Sequence, residues 1–218
     1  MDIKSYMTDY LEWYFFQHYE RMKLTVEMLE KVVKVDDEIL DLGSIFPFST
    51  YWFALYKNAK IICADLCPVT WKLSDSLYST TVDLNEMMLT DNGKGWKIIN
   101  FQEVIEHLTC DLTQVRDRVM DVLQPGGYLL AGYPIVNLTM EQGMPPGSKI
   151  ELHHEIHGQS ERPSFAATLP RSQAPCTHQR EFFLEECESF FPLKRICSKT
   201  VFTLGYTRGT VLVLYRKE

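Results

Sequence analysis

Three acidic residues stand where the chain leaves a short apolar run. Glu38-Ile39-Leu40-Asp41-Leu42 closes on Gly43, Lys60-Ile61-Ile62-Cys63-Ala64 closes on Asp65, and Thr80-Thr81-Val82 closes on Asp83. A carboxylate at the end of a buried strand can accept hydrogen bonds from the paired hydroxyls of a ribose, and a glycine after the first strand lets a ligand approach the backbone. Asp65 follows Gly43 by 22 residues, the separation that this chemistry requires. One such acid alone reads as the cap of the next helix; three in register read as a nucleoside site. The first turn, Gly43-Ser44-Ile45-Phe46-Pro47-Phe48, has a single glycine. It lacks the G-x-G-x-x-G backbone on which a pyrophosphate sits, so NAD and FAD are disfavoured.

A second group lies in residues 151–157, where His153, His154 and His157 cluster. On a helix His153 and His157 would be one turn apart and able to share a divalent ion. The surrounding prolines and glycines do not promise a helix and no Cys or Asp is near, so no metal is assigned. His178 reads as a residue that caps or orients the last helix.

The elements that must position these groups follow from periodicity. Apolar residues recur every three to four positions over residues 7–33, which predicts a helix. Short buried strands are expected at 38–42, 60–65, 80–82, 97–101 and 128–133, with helices over 50–58, from about 112 to 123, and near 180–191. Two closing strands, 195–203 and 210–215, are expected to be antiparallel. Strands alternating with helices imply a parallel sheet covered on both faces, and right-handed crossovers make it doubly wound and Rossmann-like. Residues 141–177 break the rhythm with five of the ten prolines and three of the six histidines, and are read as a lid or acceptor-binding insertion. The organisation expected is a helical cap over 1–35 and one domain over 36–218.

With 218 residues, 45% hydrophobic and 23% charged, the chain is a globular protein rather than a disordered, collagenous or coiled-coil one. Its net charge of -7, without clustered Lys and Arg, argues against nucleic acid as partner. No apolar run is long enough to span a bilayer. The N-terminal stretch has acids inside it and no small-residue cleavage site, so it is not read as a signal peptide. Six scattered cysteines without a C-x-x-C pair read as reduced thiols of a cytoplasmic protein.

The succession Ile39-Leu40-Asp41-Leu42-Gly43-Ser44, Ile62-Cys63-Ala64-Asp65-Leu66, Val82-Asp83-Leu84-Asn85, Phe101-Gln102-Glu103-Val104-Ile105-Glu106-His107-Leu108 and Val122-Leu123-Gln124-Pro125-Gly126-Gly127-Tyr128 resembles the class I S-adenosylmethionine-dependent methyltransferases, especially their small type-11-like group. His178-Gln179-Arg180-Glu181-Phe182 is similar to that group's last helix entry. The resemblance implies a seven-stranded, mostly parallel sheet with helices on both faces and an antiparallel C-terminal strand. It implies that Asp41, Gly43 and Ser44 border the methionine moiety, that Asp65 holds the ribose with Leu66 against the adenine, and that Asp83 and Leu84 meet the adenine. Phe101 and Gln102 would lie near the sulfonium. His107 and Glu103 are then the candidate bases, each with a local reading: a histidine serving its own helix terminus, and an acid at a helix N-terminus. Tyr14 and His18 on the N-terminal helix, and His154 in the insertion, are candidate acceptor contacts. Two turn positions depart from the family, Ile45 and Pro47, and Lys97 replaces the acid that commonly starts the fourth strand.

The expected activity is transfer of a methyl group from S-adenosylmethionine to an oxygen or nitrogen of a small molecule: a sugar, glycolipid or secondary metabolite. The alternative, favoured by Ile45 and Pro47, is a degenerate homologue acting as a regulatory or partner subunit. A metal-dependent enzyme using the histidine segment is a third reading. Aromatic residues on the N-terminal helix suit a homodimer.

Overall fold

The computed structural model describes residues 3–44, 46–66, 72–85, 93–108, 110–135, 182, 184–202 and 209–218. In chain order the elements are α1 (Ile3–Leu29), β1 (Glu38–Leu42), α2 (Tyr51–Lys57), β2 (Lys60–Asp65), β3 (Lys72–Ser74), β4 (Leu77–Thr81), β5 (Trp96–Gln102), a 3-10 turn (Ile105–His107), α3 (Leu112–Val122), β6 (Leu123–Ile135), α4 (Leu184–Ser189), β7 (Lys194–Phe202) and β8 (Gly209–Arg216). The strands form one sheet in the order β3-β4-β2-β1-β5-β6-β8-β7. β4, β2, β1, β5 and β6 run parallel, while β8 is antiparallel to both β6 and β7, and β3 to β4. β1 therefore sits where the strand order reverses, with β2 on one side and β5 on the other, and the crevice for a ligand opens at the carboxyl ends of these strands.

The period-two alternation of the strands sorts their side chains into two layers. Ile39, Ile61, Cys63, Ile98, Leu130, Leu212 and Leu214 pack with Met28 and Leu29 of α1 and Phe53 of α2. Leu40, Leu42, Ile62, Ile99, Phe101, Leu129 and Val213 pack on the other face with Val115, Val119 and Val122 of α3 and with Cys187 and Phe191. Each fully buried Leu, Ile or Phe contributes roughly 1.5–3 kcal/mol relative to exposure, so the two layers fix the helices against the sheet. α3 starts on Asp111, which accepts from the Thr113 amide at 2.9 Å. At its other end Lys217 donates to the carbonyls of Met120 and Leu123, covering groups the helix leaves open.

Several elements differ from expectation for identifiable reasons. The sheet has eight strands among the described residues rather than seven, because β3 is a three-residue exposed edge with no apolar signal. The third parallel strand runs Leu77–Thr81 rather than 80–82; only Leu77 in it is buried, so the run carries little hydrophobic pattern. β6 begins at Leu123, not 128. Pairing passes from Trp96–Leu123 to Ile98–Tyr128, so Gln124–Gly127 bulge opposite Lys97 instead of forming a turn between helix and strand. α1 ends at Leu29; Val33 keeps the apolar period because it packs into the same layer from the turn beyond. Among the described residues, no helix is long and apolar enough to cross a membrane.

Gly43 closes β1 with φ of +71°, and its amide donates to the Ala64 carbonyl at 2.7 Å. A Cβ there would lie 2.0 Å from Val104 Cγ2. The first turn is thus locked against the segment that follows β5 by a contact only glycine allows. Gly43→Ala is expected to cost roughly 2–4 kcal/mol, from left-handed strain and overpacking together. Val104→Ala in that background should recover part of the loss in urea unfolding, whereas a Gly43→Ala midpoint at the wild-type value would contradict the contact.

Candidate functional site

β1 brings Asp41 to the α1–α2 face of the sheet near its carboxyl edge, in register with Cys63 on β2 and Asn100 on β5. The carboxylate is 3% exposed. Thr50 donates its hydroxyl to Oδ2 at 2.6 Å, and Asn100 Nδ2 donates to Oδ1 at 2.7 Å. Thr50 stands at the N-cap of α2, yet its hydroxyl makes no cap bond to the helix and serves Asp41 instead. The chain of bonds continues outward. Gln102 Nε2 donates to Asn100 Oδ1, the Thr25 hydroxyl lies 3.1 Å from the Gln102 amide, and Thr25 donates to the Arg21 carbonyl at 2.9 Å. A polar seam thus crosses an otherwise apolar layer from α2, through β1 and β5, to α1.

Burial pushes the Asp41 carboxyl up to about 6, against the two hydrogen bonds and the Arg21 charge that lower it. The neighbouring Cys63 thiol is pushed far up, first by burial and then by the Asp41 charge, so it is an inert core thiol.

A second group of acids follows β5. Glu103 has φ of +54°, a left-handed conformation that costs a non-glycine residue on the order of 1–3 kcal/mol and is held by its surroundings. Its amide donates to the Gly132 carbonyl at 3.1 Å, and its Oε1 accepts from the Thr210 hydroxyl at 3.1 Å. Glu106 is 0% exposed, and no side chain donates a hydrogen bond to either of its oxygens. Its carboxyl is held well above the usual range by burial and by the Glu103 charge; burial likewise raises Glu103, against Arg21. His107 Nε2 lies 3.7 Å from Glu106 Oε1. Arg21, itself buried on α1, is the cation that acts on Asp41, Glu103 and Glu106 alike.

The other sequence-chosen residues divide by what they touch. Asp65 and Leu66 are half-buried at the end of β2. Asp83 accepts from the Asn85 amide at 2.8 Å and so builds the loop after β4. Ser44 donates to the Phe46 carbonyl at 2.8 Å. Phe101 and Leu84 are buried in the α3 layer, so their side chains pack the core on the face opposite Asp41. His18 is half-buried on α1. Tyr14 is on the same helix, with its side chain outside the described residues; Ile45, His154 and the whole 141–177 segment are outside them too. In the turn that carries Ile45 and Pro47, the Phe46 ring meets Phe48 edge-on and Tyr51 at a tilt, and Phe48 meets Phe15 of α1 at a tilt. Residue-type reasoning missed Thr25, Thr50, Asn100, Arg21 and Glu106; the signal for Asn100 was an amide inside the apolar run Ile98-Ile99-Asn100-Phe101. Among the described residues no group of three His, Cys, Asp or Glu is placed to hold a metal ion.

Neither a protein-family model nor a curated protein matches the chain. Solved structures do. A 1,6-didemethyltoxoflavin-N1-methyltransferase from Burkholderia thailandensis, solved with 1,6-didemethyltoxoflavin and S-adenosylhomocysteine bound, superposes with TM-score 0.62 at 13% identity, covering 99% of this chain and 84% of that one. The N-methyltransferase NodS of Bradyrhizobium japonicum WM9 gives 0.52 at 15% identity, over 92% and 96%. The [4+2]-cyclase SpnF gives 0.61 at 13% identity, over 90% and 81%. The chain has the class I methyltransferase fold.

Asp41 sets a testable pH dependence. Its proton is held more tightly in the fold than at its ordinary value of 3.8, so its contribution is fully present below that pH and is lost as pH rises through about 6. The loss is on the order of 3 kcal/mol. Glu103 and Glu106 act in the same direction. Asp41→Asn, with the Thr50 hydroxyl turned to accept, is expected to flatten the fall of melting temperature between pH 4.5 and 7.5. An unchanged slope would contradict the buried charge.

Proposed function

We propose that the chain binds S-adenosylmethionine at the carboxyl edge of its sheet and directs methyl transfer to an oxygen or nitrogen of a small molecule. The observation that carries this reading is the charge of that edge. Asp41, Asp65, Glu103 and Glu106 gather around the switch point with Arg21 as the buried cation among them. A ligand of net positive charge would draw these raised carboxyls toward their ionised forms, and S-adenosylmethionine carries a sulfonium and an ammonium against one carboxylate. The donor set fits its remaining parts: Asp65 offers a half-buried carboxylate to the ribose hydroxyls, with Leu66 beside it for the adenine.

When bound, S-adenosylmethionine supplies an electrophilic methyl carbon on a positively charged sulfur. The chain's own task is to bind and align. Asp41, Asn100, Gln102 and Thr25 hold β1, β5 and α1 in fixed relation, which sets the orientation of whatever lies over the carboxyl ends. Glu103 and His107, after β5, would take a proton from the acceptor. The acceptor itself, whether sugar, glycolipid or secondary metabolite, would be met by the insertion that includes His154 and by α1, where Tyr14 and His18 lie. A homodimer is proposed from the rings of Phe16 and Tyr19, exposed on α1, and a cytoplasmic location from the thiols, of which Cys63, Cys110, Cys187 and Cys197 form no disulfide.

A second reading is favoured by the aromatic packing of Phe46, Phe48 and Phe15 over the first turn. There the protein keeps the fold without methyl transfer and serves as a regulatory or partner subunit. Calorimetric titration separates the two. S-adenosylmethionine and S-adenosylhomocysteine are expected to bind with micromolar affinity, and Asp65→Ala to abolish binding. At 100 times the dissociation constant the ligand should add about 2.7 kcal/mol and raise the melting temperature by roughly 5–10 °C. Binding of neither ligand would select the second reading.

A further inference from the structure

We propose that Glu106 and His107 work as a carboxylate–imidazole pair, in which His107 takes the proton shed by the acceptor's nucleophile and Glu106 holds the ring and balances its charge. The proposal rests on the methyl-transfer reading above and assigns to Glu106 a role that the local sequence does not disclose. Both residues lie on the 3-10 turn after β5, beside the crevice where the strand order reverses. The turn is fixed by the His107 amide, which donates to the Val104 carbonyl at 2.9 Å, and Val104 is itself locked against Gly43. Glu106 is wholly buried and His107 keeps 25% of its side chain exposed, so the pair runs from the interior to the edge.

The state of Glu106 is the argument. A buried carboxyl with no side-chain donor on either oxygen is costly and uncommon in folded proteins. The side chain that approaches Oε1 is the His107 ring, at 3.7 Å. A proton gained by the imidazole favours ionisation of the raised Glu106 carboxyl beside it, which then balances the charge of the ring. The charged groups facing Glu106 are Glu103 from its own loop and Arg21 from α1, with Glu103 held in turn by Thr210 of β8. Glu103 disfavours a second negative charge, and a protonated His107 offsets that.

The step balances without a further reagent. The acceptor's oxygen or nitrogen forms a bond to the methyl carbon of S-adenosylmethionine, the carbon–sulfur bond breaks with its electron pair remaining on sulfur, and the proton leaving the nucleophile goes to His107. Glu106 touches neither substrate nor cofactor and is a positioning residue.

The test follows the His107 ring by NMR in histidine-labelled protein without any ligand, its signal assigned by its absence in His107→Gln. In Glu106→Gln, shown to be folded by the same spectrum, the ring is expected to lose roughly tenfold in proton affinity, while Glu106→Asp loses less. In wild-type protein the His107 shift should show a second inflection from the coupled carboxyl. A folded Glu106→Gln in which His107 titrates as in the wild type, or a wild-type curve with one inflection, overturns the pair. Failure of S-adenosylmethionine to bind is a separate result in a separate measurement, so the cofactor reading and the pair fall independently.

Discussion

A carboxylate buried in the middle of a hydrophobic layer is the constraint around which the rest of the chain is arranged. Asp41 lies on the face where Ile39, Ile61 and Ile98, in register with one another two residues earlier along the strands, present aliphatic groups. Placing an acid there obliges the structure to supply donors, and it supplies two: Thr50 from the start of α2 and Asn100 from β5. Each donor then has its own obligations. Thr50 gives up the helix cap it would otherwise make, and Asn100 must satisfy its carbonyl, which it does through Gln102. The seam ends on α1 at Thr25, so the N-terminal helix is tied to the sheet edge by directional bonds as well as by the packing of Met28 and Leu29. A network of this kind is stabilising only when every member is satisfied.

The same logic explains why the segment after β5 is so unusual. Val104 fills the space that Gly43 leaves, Glu103 has a left-handed backbone and accepts from Thr210, and Glu106 is carried inward beside His107. A left-handed residue, a buried acid pair and a partly exposed histidine fall within five residues of one another. Arg21 ties this group to Asp41 electrostatically, so the two acidic regions form one field at the switch point of the sheet.

Much of this was legible in the sequence, and the rest was not for physical reasons. β1 and β2 have the bounds expected of them, because a buried parallel strand is a continuous apolar run with a sharp end. β4 and β3 lie toward the edge of the sheet, where burial and hence pattern fade. Gln124–Gly127 reads as a stop in any local window; only the pairing with β5 makes it a bulge within a strand. At the site, Asp41 and Gly43 stand out by position, but the roles of Thr50, Asn100, Gln102 and Thr25 appear once residues 77 positions apart in sequence, Thr25 and Gln102, are brought into contact. Asp83 shows the opposite case: the feature that marked it as a ligand group is also that of a loop-forming acid, and its bond to Asn85 is of the second kind.

Hydrogen exchange with and without S-adenosylhomocysteine tests the central claim, that the carboxyl edge around Asp41 is one ligand site. Protection is expected in the amides of residues 41–44, 64–66, 83–85 and 100–107 together, with the far ends of β1, β2 and β5 unchanged. Protection elsewhere, or none at saturating ligand, would contradict it.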